Sequence, residues 1–208
     1  LYPDGTEWIP PSLAPLQPPE EEPRILIGAN RCSKPYAASI LNISAMSFGS
    51  LSKSAILALN GGAKLGGFAH NTGEGGVSAY HLKYGGDLVW QIGTGYFGCR
   101  SEDGGFDDDK YKLTATLDSV RMIEIKLSQG AKPGHGGILP AGKITPEIAE
   151  IRGIPMGKDC VSPPNHSAFG SPKELLQFVS HLRELSGGKP IGIKICIGRV
   201  EQIMGICK

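Results

Sequence analysis

Between Ile123 and Gly137 the chain reads IEIKLSQGAKPGHGG, which sets Lys126, Gln129 and Lys132 at the exit of an apolar strand. Ile123, Ile125 and Leu127 supply the alternating apolar positions that a sheet or barrel strand requires. Two ammonium groups and an amide gathered where the backbone bends can hold an anionic or carbonyl-bearing small molecule. Gly130, Gly134, Gly136 and Gly137 would let the main chain approach it closely. The same residues also fit an ordinary strand followed by a solvated basic loop, and the segment alone does not separate the two.

Other residues carry similar double readings. Glu74 stands between glycines in TGEGG, where a carboxylate can hold a cationic nitrogen if it is buried or can simply face solvent. Arg152 offers a planar fork suited to a carboxylate, or is a surface arginine at a helix end. Lys194 sits among Ile191, Ile193, Ile195 and Ile197, a costly place for a lysine unless it faces an anion or lies on an edge strand. His135 is an acid–base candidate or a polar-rim histidine.

These residues need elements to position them. Ile40–Met46 reads as an apolar strand ending in SFGS, with Ser50 or Ser52 capping a helix whose Ile56, Leu59 and Ala63 share a face. Gly66 and Gly67 stop it, and a short strand near Phe68–Asn71 follows. Leu88–Ile92 and Met122–Leu127 are the third and fourth strands, Thr145-Pro146-Glu147 opens a short helix, and Cys160-Val161 marks a fifth strand. Ser171 and Glu174 form a capping box for a helix reaching Leu185, ended by Gly187-Gly188, and Ile191–Ile197 is the next strand. Residues 1–37 are proline-rich and read as an extended lead-in, with residues 38–208 as the domain proper. Strand–loop–helix repetition predicts an α/β fold with a parallel sheet. Glycine clusters after nearly every strand favour a (β/α)8 TIM-barrel type, present as a partial barrel of about five to six strands.

Composition narrows the class. A net charge of +1 gives no electrostatic basis for binding nucleic acid, and no apolar run is long enough to span a bilayer. The five scattered cysteines form no CxxC pair or metal-ligand spacing, which with the absence of a signal peptide pattern points to a cytoplasmic protein.

Six segments, taken in order, resemble the FMN-binding domain of the glutamate synthase family: NISAMSFGSLS, GGFAHNTGEGG, WQIGTGYFGCR, IEIKLSQGAKPGHGGILP, IRGIPMG and GGKPIGIKICIG. The detail is most similar to the stand-alone FMN-binding members. The resemblance implies a (β/α)8 barrel with FMN at the carboxyl ends of the strands, and a chain that stops before the strands carrying the phosphate grip. It also implies an iron–sulphur cluster in the family, whose downstream cysteines this sequence does not contain. No amidotransferase segment is present.

By resemblance, Ala45, Met46 and Ser47 lie against the flavin, with Thr72, Gly73, Gln91, Gln129 and Lys194 as further cofactor contacts. Gln91 can instead be a strand residue turned to a neighbouring loop, and the Ala45–Ser47 segment a plain strand-to-helix turn. Glu74, Lys126 and Lys132 are the catalytic candidates, and Glu74, Lys126 and Arg152 the substrate-binding ones. The implied reaction is reduction of 2-iminoglutarate, formed from 2-oxoglutarate and ammonia, to glutamate by an FMN-dependent oxidoreductase. Its electrons would come from a donor protein or a reduced pyridine nucleotide system. Ile138 stands where the glutamine-dependent enzymes have a glutamine that helps bind 2-oxoglutarate, which keeps another amino or oxo acid open as substrate. A non-catalytic binding subunit, self-associating or completed by another chain, is the remaining alternative.

Overall fold

The computed structural model describes residues 12–17, 19–127 and 135–207. Its first regular element is a hairpin, β1 (Arg24–Ile27) antiparallel to β2 (Tyr36–Ser39), with Arg24 opposite Ser39 and Ile27 opposite Tyr36. Helix α1 (Lys53–Gly66) follows, then β3 (His70–Asn71), the short α2 (Ala79–Leu82) and β4 (Leu88–Ile92). Helix α3 (Asp108–Ala115) leads into β5 (Val120–Lys126). Farther along lie β6 (Ile138–Leu139), α4 (Pro146–Arg152) and β7 (Cys160–Val161). Helix α5 (Pro172–Leu185), β8 (Ile191–Lys194) and α6 (Val200–Cys207) complete the described elements.

β3, β4, β5 and β8 form one parallel sheet in that spatial order, so neighbours in space follow one another along the chain without reversal. Ile43 makes a parallel bridge to His70. Its N–H donates to Ala69 O at 2.8 Å and its carbonyl accepts from Asn71 N–H at 3.0 Å. The sequence predicts a full strand over Ile40–Met46, yet only Ile43 pairs. Asn42 explains this locally: its Oδ1 accepts from Ala69 N–H at 3.0 Å and its Nδ2 donates to Ser39 O at 2.7 Å, so a side chain occupies the place of ladder bonds.

Two further expectations are corrected. Cys160-Val161 is a strand, but it pairs antiparallel with β6 and stands outside the parallel sheet. Against the expected five or six sheet strands, the described residues form four, plus the Ile43 bridge. The proline-rich stretch before residue 38, expected as an extended lead-in, contains β1, because the apolar RILI segment finds YAAS as its partner.

Helix termini follow the capping residues. Ser52, not Ser50, caps α1 by accepting from Ala55 N–H, and Gly67 closes the helix at φ 67°. Ser171 accepts from Glu174 N–H at 3.3 Å, while Glu174 reaches back to Gly170 N–H at 2.6 Å, one residue before the cap expected of a capping box.

Period-2 alternation divides the two faces of the sheet. Leu88, Trp90 and Ile92 of β4 and Ile123 and Ile125 of β5 point one way, into a core completed by Tyr111 and Ala115 of α3 and Leu175, Phe178 and Leu182 of α5. Trp90 stacks on Tyr111 with ring centroids 5.3 Å apart, and the Tyr111 hydroxyl donates to Leu182 O at 3.0 Å. The other face carries Asn71, Gln91, Glu124, Lys126 and Lys194 above a small apolar patch of Val89 and Met122 packed on Tyr36 and Ala38 of the hairpin. Leu182 is fully buried where α5 meets this core, so Leu182→Ala should cost about 2–5 kcal/mol, read as a lowered urea midpoint with an unchanged slope.

Candidate functional site

The segment Ser44–Ser47 leaves the Ile43 bridge along the carboxyl end of β3, tied by Met46 N–H to Asn71 O at 3.0 Å. Gly73 lets the next loop press against it. At φ 64°, a Cβ on this residue would lie 2.9 Å from Ser47 N, so any side chain would push the two turns apart. Behind the turn, the buried His81 bonds Met46 O through Nε2 at 3.1 Å and Ser78 Oγ through Nδ1 at 2.8 Å. A carbonyl only accepts, so Nε2 carries the hydrogen. Thr72 is committed to the scaffold: its hydroxyl donates to Gly73 O and accepts from Gln91 N–H.

Two cavities lie on either side of this turn. One is lined by Ala45, Asn71, Glu124 and Lys194, on the polar face of the sheet. The other is lined by Ser47, Glu74, Phe97, Ile138, Arg152 and Ser162. Glu74, which lines the second, pairs through Oε1 with Lys126 Nζ at 3.0 Å, both side chains largely shielded. Gly93 is needed here because a Cβ on it would fall 2.5 Å from Glu74 Oε2.

Arg152 is 5% exposed, which rules out the surface-arginine reading. One guanidinium nitrogen, Nη2, donates to Phe48 O at 3.2 Å, and the group lies 5.0 Å over the Phe97 ring. Nε is buried without a partner, and among the described residues the guanidinium has no ion pair. Burial lowers its pKa, with Cys160 and Glu74 acting the other way. A buried cation in this state favours an anion in the cavity beside it.

Lys194, expected to interrupt a longer strand, is the last residue of β8, opposite Lys126 of β5. Gln91 is 1% exposed and donates from Nε2 to Glu124 Oε1 at 2.6 Å. Thus Ala45, Met46, Ser47, Thr72, Gly73, Glu74, Gln91, Lys126, Arg152 and Lys194 fall in one region around the two cavities. Gln129 and Lys132 lie outside the described residues, and His135 is exposed.

Glu124 and His166 join the site without having been singled out by sequence. Glu124 was legible by the alternation that marks Lys194, a charge between two isoleucines. His166 carries no comparable signal. Its Nε2 bonds Lys126 O at 2.9 Å and its Nδ1 bonds the hydroxyl of Tyr96 at 3.1 Å. Because the carbonyl only accepts, Nδ1 is the acceptor and Tyr96 donates to it, while Ala168 N–H donates to Tyr96. Burial holds His166 in its neutral form, against the pull of the Lys126 carbonyl and Glu74. Tyr96 keeps φ 50°, in the left-handed region, to make this network, which braces the end of β5 where Lys126 leaves.

Residues 12–208 match the family model described as a conserved region in glutamate synthase. The chain belongs to the glutamate synthase family. It is 43% identical over 180 residues to the glutamate synthase large subunit-like protein YerD of Bacillus subtilis, covering 86% of this chain and 34% of that one. An archaeal-type NADPH glutamate synthase of Thermotoga maritima is 38% identical over 152 residues, 73% of this chain and 27% of the relative. The NADPH glutamate synthase large chain of Bacillus subtilis is 36% identical over 161 residues, 73% of this chain and 10% of the relative. The chain therefore spans about a third or less of the length of these curated relatives. Among the described residues no helix is long and apolar enough to cross a membrane, and no group of His, Cys, Asp and Glu could hold a metal ion.

The buried histidines give this family member a specific acid response. His70 on β3 is fully buried with both ring nitrogens unpartnered, 5.2 Å from the ring of His81. Burial, reinforced by His81, lowers its pKa from 6.5 to about 4, and burial lowers that of His81 too. At His70 the unfolded chain therefore gains a proton near pH 6.5 while the native state takes one only near pH 4, so the stability this residue contributes is full above 6.5 and drains away below it. His70 alone accounts for about 3 kcal/mol across that window. Urea midpoints measured from pH 7 to 4.5 should fall less steeply in His70→Leu than in the natural protein. Parallel curves would show that His70 does not titrate this way.

Proposed function

We propose that this chain forms the FMN- and substrate-bearing part of a cytoplasmic, FMN-dependent oxidoreductase of glutamate synthase type, whose parallel sheet belongs to a (β/α)8 barrel. The monotonic strand order supports the barrel, since a doubly wound sheet reverses direction at its switch point. The observation that carries the reading is Arg152: a buried guanidinium with no ion pair among the described residues, lining the same cavity as Glu74, whose carboxylate is paired with Lys126.

The polar face of the sheet fits a flavin. Gln91 and the backbone of Ala45 and Ser47 would offer hydrogen-bonding groups to the polar edge of the ring, with Met46, Thr72 and Gly73 holding that backbone in place, and Lys194 would offer a positive charge for an anionic one. Bound there, FMN supplies hydride transfer to a carbon–nitrogen double bond. The residues of the second cavity do the rest. Arg152 takes a substrate carboxylate through its fork. Lys126 can exchange Glu74 for a second carboxylate, which frees Glu74 to hold the imino nitrogen of 2-iminoglutarate as it gains charge. His166 and Tyr96 keep Lys126 at the strand end during that exchange. Gln129 and Lys132 complete the same reading as cofactor and substrate contacts. Among the relatives, those named as NADPH enzymes suggest a reduced pyridine nucleotide system, direct or through a donor protein, as electron source. An iron–sulphur cluster in the electron path would be held by residues other than the described ones.

One observation favours a second substrate. Ile138, 63% exposed, lines the Arg152 cavity, and an apolar residue there suits an oxo or amino acid with an apolar side chain. Anaerobic mixing of the intact, reduced, FMN-loaded protein with 2-oxoglutarate and ammonium decides between them. Reoxidation with stoichiometric glutamate is expected, and Arg152→Leu should raise the half-saturating 2-oxoglutarate concentration about 10- to 100-fold through loss of a charge-assisted contact. Turnover only with apolar 2-oxo acids would select the second substrate. Reoxidation by no oxo acid would overturn the assignment.

A further inference from the structure

Glu124 lies on the polar face of the sheet, on β5, and its Oε1 meets two amides from the neighbouring strands. Asn71 Nδ2 of β3 lies at 2.9 Å and Gln91 Nε2 of β4 at 2.6 Å. The orientation of both amides follows from a backbone group that cannot be reversed. Gly73 N–H donates to Asn71 Oδ1 at 3.0 Å, and a main-chain N–H has no acceptor role, so the other end of the Asn71 amide is its NH2. Glu124 Oε1 is therefore an acceptor. The Gln91 atom 2.6 Å from the same oxygen must then also be a donor nitrogen.

This leaves the Gln91 carbonyl oxygen turned away from Glu124, its orientation fixed by the clamp on its amide nitrogen. A carbonyl held in one orientation selects for a donor. A flavin ring presents acceptor, donor and acceptor along its pyrimidine edge, and N3–H is the only donor there. Free to rotate, the Gln91 amide could answer any of the three atoms; held by Glu124 it answers only N3–H.

We infer that Glu124 is a positioning residue: it clamps the Gln91 amide so that the carbonyl oxygen of Gln91 receives flavin N3–H. Through Asn71 it also fixes the Gly73 backbone, so one carboxylate orders two groups on the flavin side of the site. The inference rests on the FMN reading of the polar face.

The test is the NMR signal of N3–H in 15N-labelled FMN bound to the intact protein. The natural protein should give a protected, downfield-shifted N3–H resonance. Glu124→Met, similar in length but with no acceptor, should return it towards the free-FMN position and weaken FMN binding about 5- to 10-fold. Glu124→Gln keeps one acceptor oxygen for the two amides and should retain the shift. Gln91→Met should abolish it, which keeps the inference testable if Glu124→Met does not fold. A resonance unchanged in Glu124→Met or in Gln91→Met would overturn the inference while leaving FMN binding intact, and loss of the shift in Glu124→Gln would show that charge, not amide orientation, is the role of Glu124. Labelled FMN that does not bind the natural protein at all would overturn the FMN reading and this inference with it.

Discussion

Side-chain alternation along β4 and β5 is the constraint on which this molecule depends. Once Leu88, Trp90, Ile92, Ile123 and Ile125 are committed to the helices, the residues between them must face the other way. Parallel sheets are normally covered by apolar groups on both faces. Here the second face carries Gln91, Glu124, Lys126 and Lys194 on three adjacent strands. Burying such groups is unfavourable unless they bond one another or a ligand. The structure uses the first solution for Asn71, Gln91 and Glu124 and for Glu74 with Lys126. It leaves Arg152 with an unpartnered Nε and Lys194 with no ion pair among the described residues.

The two cavities take opposite characters from this arrangement. The turn Ser44–Ser47 runs between them and is held from three sides: by Asn71 on β3, by Gly73 pressed against Ser47, and by His81 on Met46. A ring lying along the sheet face would meet main-chain groups of that turn from one side. A small acid bound by Arg152 would meet Ser47 from the other. The turn thereby sorts the polar residues by chemistry. Asn71, Glu124 and Lys194 line the first cavity, while Arg152 lines the second together with Glu74, itself paired with Lys126.

Much of this was legible in the sequence where local chemistry decides structure. The helices at Lys53–Gly66 and Pro172–Leu185 start at serines and stop at glycines, and both were readable from caps and periodicity. The strands Leu88–Ile92 and Val120–Lys126 follow from apolar alternation. What was not legible depended on distant partners. Ile40–Met46 has strand composition, but the Asn42 side chain takes the bonds a ladder would need. Cys160-Val161 is apolar enough for the main sheet, yet Ile138-Leu139 is its partner. Arg152 could be buried or exposed until α4 was packed under Phe48 and Phe97. Glu124 was visible as a charge in an apolar strand, but its two amide partners stand 53 and 33 residues away along the chain.

The central claim is that the polar face of the sheet is a flavin surface rather than a self-satisfied structural network. The most direct measurement is the visible absorption spectrum of the intact protein after incubation with FMN and desalting, alongside Lys194→Met. The account predicts a retained flavin band with a spectrum shifted from that of free FMN in the natural protein, and a much weaker one in Lys194→Met with the fold unchanged by circular dichroism. A folded natural protein that emerges colourless, or one whose flavin is indifferent to Lys194, would contradict it.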